Sequence, residues 1–86
     1  MNPTKEITQY IFQMRRKIGK QLHTLREMQG LSLSEAANLS GISIERIELI
    51  EQGRHFSLHK VALVAALYNS KIDINIKHWK KHKQKS

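Results

Sequence analysis

The side chains best suited to chemistry in this sequence are five histidines and a single aspartate, Asp73. His78 and His82 are four residues apart and could share one helical face, as paired metal ligands often do. No carboxylate or third ligand stands near them, and the chain has no cysteine. No nucleophile is paired with a base in a catalytic pattern. The sequence therefore predicts no metal, no cofactor and no enzymatic activity.

Charge is the second chemical feature, because 15 basic residues face only 7 acidic ones and the formal net charge is +8. This excess suits an anionic partner, of which nucleic acid is the usual one. The distribution is uneven. Residues 1–30 and 55–86 are strongly basic, whereas residues 31–54 carry two arginines against four glutamates.

The length of 86 residues limits the chain to one small domain. A domain of this size buries little surface and is marginally stable, so we expect a partner subunit. The first ten residues lack the pattern of a secretory signal, and no apolar stretch is long enough to span a membrane. We therefore expect a cytoplasmic protein without a membrane partner.

The first 30 residues predict a long helix against which the later helices can pack. Pro3 and Thr4 form a helix start with Thr4 as N-cap, and Gly30 is a stop signal. Gly19 leaves open whether this is one helix of about 25 residues or two pieces. Apolar residues recur at spacings of three and four, which predicts one buried face. They are Ile7, Ile11, Met14, Ile18, Leu22 and Leu25.

Three short helices are predicted next, each preceded by a serine that can cap it. Ser32 with Glu35 forms a capping box, and Ser43 and Ser57 precede the other two helices. Gly41 supplies the positive φ that a tight reversal needs. The three helices are predicted over about 33–40, 44–51 and 58–68.

Residues 71–77 alternate strictly between polar and apolar, which predicts a half-buried β-strand. The chain holds no second strand to pair with it, so the simplest partner is the same strand of a second subunit. The alternative is an irregular extension whose three isoleucines pack on the helices. Residues 78–86 are basic, lack apolar periodicity and are predicted to form a flexible tail.

Residues 33–52 have the pattern of two helices joined by a tight turn. Ala37 is small where the helices cross, Gly41 lies at the turn, and Ile42, Ile47 and Ile50 can face a core. With its flanks, this segment resembles the Cro/phage-repressor (XRE-type) helix-turn-helix family over about residues 18–69. The resembling residues are Ile18-Gly19-Lys20, Leu25-Arg26-Glu27, Gly30-Leu31-Ser32, Glu35, Ala37, Gly41-Ile42-Ser43, Ile47, Ile50-Glu51 and Gly53.

This resemblance implies a lambda-repressor-like bundle of about five helices, whose third helix lies in the DNA major groove. It also implies a structural pair between Arg26 and Glu51, two polar residues that each need a partner in an apolar setting. Two positions depart from the family. Leu33 replaces a frequent glutamine, and Ser40 occupies a position that is usually apolar.

The groove-facing positions of the third helix depart further. Ile44, Glu45, Glu48 and Leu49 stand where the family usually has polar or basic residues, and Arg46 lies on the flank. Isoleucine and leucine can contact thymine methyl groups, and glutamate can accept from cytosine N4. Glutamates also repel a polyanion, so the remaining affinity must come from elsewhere.

Two interpretations follow. In the first, the third helix reads bases and other residues contact the DNA backbone; these are Ser32, Ser43, Arg46, Arg54, His55 and Lys60. In the second, the domain no longer reads DNA strongly and is a protein-interaction module or an antitoxin-like partner protein. The basic run 15–17 with Lys20 either contributes to DNA binding or is a solvated helix face.

The complete prediction is an all-α helix-turn-helix bundle with an N-terminal helical extension and a short C-terminal β-strand. The extension covers residues 1–14, the DNA-binding domain 15–70, the dimerisation strand 71–77 and the tail 78–86. The predicted function is sequence-specific transcriptional regulation by a homodimer that binds double-stranded DNA.

Overall fold

The structure, a computed structural model, describes residues 3–77. Within this range the chain is entirely helical apart from its connections and its last segment. The four helices of these residues are α1 (Pro3–Met28), α2 (Leu33–Ser40), α3 (Ile44–Glu51) and α4 (Leu58–Leu67). The all-α prediction is confirmed for this range, but the fifth helix implied by the resemblance is not present in it.

Helix α1 is one continuous helix of 26 residues, so Gly19 does not divide it. Gly19 is buried where α1 crosses the end of α3, and a Cβ there would lie 2.5 Å from the carbonyl oxygens of Ile50 and Glu51. The helix begins at Pro3, which makes the prediction of Thr4 as N-cap wrong. Proline suits the first helical position because its missing N–H is not needed there.

A tight turn joins α2 to α3. Gly41 has φ 75°, and its N–H donates to the carbonyl of Ala37 at 2.9 Å. The hydroxyl of Ser40 accepts from the N–H of Ile42 at 3.1 Å, which explains how a polar residue is accommodated at this position. Ser43 then caps α3 by accepting from the N–H of Arg46 at 3.1 Å.

The core lies between α1, α3 and α4, with Ala36 of α2 fully buried against it. On α4 the buried stripe is Val61, Val64 and Ala65, and it continues to Tyr68 at the helix end. Leu58 and Ala62 of the same helix lie off this stripe and are exposed. Spacings of three and four residues place the side chains of the stripe on one face of the helix, and that face packs in the core. The nine buried apolar residues are Leu22, Ala36, Ile42, Ile47, Ile50, Val61, Val64, Ala65 and Tyr68.

Residues 71–77 have no regular secondary structure, so the predicted strand is not seen. The described part of the chain contains no other strand that could pair with this segment. The alternative, in which three isoleucines pack on the helices, is also only partly correct. Ile72 packs against the core, but Ile74 is 61% exposed and Ile76 is 91% exposed. The predicted tail 78–86 lies outside the described residues.

Candidate nucleic-acid interface

Helix α3 has one face in the core and one face in solvent. Ile47 and Ile50 are buried in the core and anchor the helix, which packs against α1 and α2. The opposite surface carries Ile44, Glu45 and Glu48, all exposed. Partly buried Leu49 flanks this surface. The structure therefore leaves a mixed apolar and acidic surface open to a ligand.

The exposed serines at the starts of α2 and α3 are engaged in capping. Ser32 accepts from the N–H of Glu35 at 3.0 Å, and the Glu35 carboxylate accepts from the N–H of Ser32 at 2.8 Å. Ser43 makes the corresponding bond to Arg46. A hydroxyl that accepts in this way still has its own O–H to donate. Both serines can therefore donate to a phosphate oxygen without losing the caps.

The loop after α3 is held against the last turn of that helix. The N–H groups of Arg54 and His55 both donate to the carbonyl oxygen of Leu49, at 2.8 and 3.2 Å. Gly53 has φ 77°, and its Cα packs so closely on α1 that a Cβ would lie 2.6 Å from the Cα of Arg16. These contacts fix where the loop presents its side chains.

Basic side chains gather around His55. Arg46 Nη1 donates to His55 Nε2 at 3.3 Å, and arginine has no acceptor, so this ring nitrogen must be unprotonated. Partial burial and then the positive charges of Arg46, Lys60 and Arg15 lower the pKa of His55. Lys60 lies in the first turn of α4, which Ser57 caps by accepting from its N–H at 3.4 Å. Three helices therefore contribute cations to one surface.

A protein-family model described as a helix-turn-helix domain matches residues 17–72, which is more than half of the chain. The chain belongs to this helix-turn-helix family. In a helix-turn-helix domain the second helix of the motif, here α3, is the helix that is placed in the major groove of DNA. Neither the curated proteins nor the solved structures that were searched include a match.

Inside the helix-turn-helix domain, Arg26 and Glu51 join α1 to the end of α3. Arg26 Nε donates to Glu51 Oε2 at 2.7 Å, and Arg26 Nη2 donates to Glu51 Oε1 at 3.1 Å. Both side chains are about 90% buried. Although burial opposes its ionisation, the hydrogen bonds from Arg26 and His23 lower the pKa of Glu51. The pair lies apart from the exposed surface of α3, which fits a structural role.

Sequence reasoning missed two further partners of this pair. His23 Nδ1 lies 2.9 Å from Glu51 Oε1, and Arg26 Nη1 donates to the carbonyl oxygen of Leu31 at 2.9 Å. The spacing of three residues between His23 and Arg26 is a signal that could have identified the first, because it places both on one helical face. The Leu31 carbonyl gives no such signal in the sequence.

Arg15 is another residue that the sequence pattern does not single out, because it belongs to the basic run 15–17. It lies four residues before Gly19 and seven before Leu22, on the stripe that packs against the rest of the domain. Lys17 and Lys20, by contrast, are exposed. The structure therefore brings Arg15 towards the basic side chains around His55 and separates it from Lys17 and Lys20 of the same run.

Within residues 3–77, no helix is long and apolar enough to cross a membrane. The same residues contain no cluster of three histidine, aspartate or glutamate side chains that could hold a metal ion. The candidate ligand pair His78 and His82 lies outside the described residues.

Proposed function

We propose that this helix-turn-helix protein is an XRE-type, sequence-specific transcriptional regulator that binds DNA as a homodimer. The observation that carries the proposal is the surface of α3, which packing leaves open and which lies next to a group of basic side chains. Ile44, Glu45 and Glu48 are exposed on it, while Arg46 and Lys60 flank it. This is the placement a recognition helix needs, with base-reading residues central and phosphate-binding residues beside them.

The proposed base contacts follow from the chemistry of each side chain. Ile44 and Leu49 can contact thymine methyl groups, and Glu45 can accept a hydrogen bond from cytosine N4. The free N–H groups at the start of α3 favour a phosphate. The proposed backbone-contacting residues are Ser32, Ser43, Arg46, Arg54, His55 and Lys60, and Glu48 lies at the edge of the groove-facing surface.

The proposed dimer contact uses the segment after α4. Residues 71–77 and the first half of α1 line a groove of about 870 Å³, whose walls include Tyr10, Met14 and Ile18. Ile74 and Ile76 expose most of their surface in the single chain. A segment without secondary structure of its own and with exposed isoleucines can pair with its own copy about a two-fold axis. Two recognition helices would then lie about 34 Å apart.

A second candidate function is supported by the acidic character of α3. Among the described residues, neither Glu45 nor Glu48 has a cationic partner, and both would face the DNA polyanion. A basic protein surface would complement them. Under this alternative the chain is a protein-interaction module or an antitoxin-like partner protein, and α3 binds protein.

Titration of a fluorescent mixed-sequence duplex with the purified protein separates the two functions. If phosphates are neutralised, binding weakens steeply as salt increases, with a slope set by the number of contacts. Substitution of Lys60 by glutamine should weaken binding and reduce the slope by about 1. Lys5→Gln is the matched control, because Lys5 is exposed near the start of α1 and has no assigned role in binding. Absence of binding to the duplex at low salt would favour the interaction module.

A further inference from the structure

The family match begins at residue 17, so Arg15 precedes the matched domain while belonging to the same helix. Two close contacts hold this part of α1 against the end of α3 and the loop that follows it. Gly19 lies against the carbonyl groups that end α3, and Arg16 lies against Gly53 of the following loop. Neither contact leaves room for a Cβ. Arg15 is therefore held beside the loop that carries His55.

The charged groups that face His55 come from three helices: Arg15 from α1, Arg46 from α3 and Lys60 from α4. No salt bridge joins Arg15, Arg46 or Lys60 to a carboxylate among residues 3–77. Arg15 Nε is buried and finds no hydrogen-bond partner in the same part of the chain. Gathered like charges without a counterion repel each other, so an anion bound among them would be stabilised.

We propose that Arg15, Arg46, His55 and Lys60 form a binding site for one phosphate group of the DNA backbone. The proposal rests on the proposed function and extends it, because it assigns a DNA contact to a residue outside the matched domain. It also divides the basic run of α1. Arg15 contacts phosphate, whereas Lys17 lies about 200° away around the helix and does not.

Phosphate binding at this site is coupled to protonation of the His55 ring. In the free protein His55 is the acceptor of the Arg46 hydrogen bond, and the surrounding cations disfavour its protonation. A phosphate brings negative charge and acceptor oxygens, so both Arg46 and a protonated His55 can donate to it. Binding therefore takes up protons. Affinity should rise as the pH falls from about 8 to 6, by at most tenfold per pH unit.

The first test compares Arg15→Gln with Lys17→Gln, which remove the same charge from opposite faces of one helix. Duplex affinity is measured by fluorescence anisotropy against salt and against pH. Arg15→Gln should weaken binding and reduce the salt slope by about 1, while Lys17→Gln should have a smaller effect on both. Equal effects of the two substitutions would overturn the proposal. Circular dichroism establishes that both variants fold, and Arg15→Lys should recover part of the affinity.

The second test uses His55 directly. His55→Gln should remove most of the pH dependence of duplex binding, and His59→Gln should retain it. If His59→Gln removes it and His55→Gln does not, the proton coupling is assigned to the wrong residue.

A third measurement separates this proposal from the proposed function. Inorganic phosphate is titrated into the wild type and into Arg15→Gln while the His55 ring is followed by NMR. A phosphate-dependent rise in the His55 titration midpoint, lost in Arg15→Gln, supports the site even if no duplex binds. Duplex binding that is unchanged in Arg15→Gln, with no His55 response to phosphate, overturns the site and leaves the regulator intact. No duplex binding and no response to phosphate would overturn both.

Discussion

Gly19 of α1 and Glu51 of α3 touch through their backbones, since a Cβ at position 19 would lie 2.5 Å from the Glu51 carbonyl oxygen. This close approach places the hydrogen-bonding groups of Arg26 within reach of the Glu51 carboxylate. It also sets the distance at which α1 passes the loop after α3. One small residue therefore positions both the internal ion pair and the basic surface.

We predict that Gly19→Ala destabilises the protein by about 2 kcal/mol or more, because the obstructing atoms are backbone and cannot rotate away. The gain of about 1 kcal/mol in helix propensity does not compensate for this clash. Thr24→Ala, at an exposed position of the same helix, should change stability by less than about 0.5 kcal/mol. Urea denaturation measures the free energy of unfolding of both variants. A Gly19→Ala variant as stable as the wild type would contradict the close approach.

Loss of one partner of the internal pair should be costly. Arg26→Gln leaves the Glu51 carboxylate buried without its main donor, and we expect a loss of about 3–5 kcal/mol in the free energy of unfolding. Glu45→Gln is a matched control, since Glu45 is exposed and forms no ion pair in the described part of the chain. Equal stability of the two variants would show that the pair contributes little.

The pH dependence of stability follows from the same pair. The folded protein lowers the pKa of Glu51 below its ordinary value of 4.5, so its contribution is fully present above that value. The contribution is lost as the pH falls through the lowered pKa of the folded state, where the carboxylate is protonated. Urea denaturation from neutral pH to pH 3 should show this loss in the wild type and less of it in Glu51→Gln. Parallel curves for the two proteins would contradict the assignment.

Tyr68→Phe should leave stability unchanged or raise it. The Tyr68 ring is buried in the core, but its hydroxyl has no hydrogen-bond partner among the described residues, and burial raises its pKa to about 12. Removing an unsatisfied buried hydroxyl costs little, whereas Tyr68→Ala should cost about 3–5 kcal/mol by creating a cavity. Thermal denaturation compares the stability of Tyr68→Phe and Tyr68→Ala with that of the wild type. A loss above about 1 kcal/mol in Tyr68→Phe would mean that the hydroxyl has a partner.

The proposed dimer predicts a solution mass of twice 10.0 kDa for the wild type. Substitution of both Ile74 and Ile76 by lysine should produce a folded monomer, because these side chains are exposed in the single chain and are not needed for its core. Replacing Lys71 and Lys77 by glutamine is the control and should preserve the dimer. Light scattering measures the mass, and a dimer that survives the isoleucine substitutions would exclude this segment as the interface.

The local signals in the sequence predicted the short helices well. Ser32, Ser43 and Ser57 each cap the helix that follows them, and Gly41 adopts the left-handed conformation that the turn requires. These features depend on residues a few positions apart, which the sequence displays directly. The surface of α3 was predictable for the same reason, because helical periodicity separates Ile47 from Glu48.

Features that depend on distant parts of the chain were not predictable. The alternation in residues 71–77 indicates a strand, but a strand needs a partner that periodicity cannot supply, and the single chain forms none. The approach of Arg15 to His55 arises from how α1 crosses the loop, which no local pattern encodes.

Whether α3 reads DNA is best tested by selecting bound sequences from random duplexes with the wild type, Glu45→Gln and the control Asp73→Asn. We predict a two-fold symmetric site with half-site centres about 34 Å apart. Glu45→Gln should change the preferred base at one position in each half-site, because a side chain that accepts from cytosine N4 has been replaced. Asp73→Asn should select the wild-type site. One unchanged site for all three proteins would remove Glu45 from the base contacts. Recovery of random sequence by the wild type would contradict the assignment of α3 as the recognition helix.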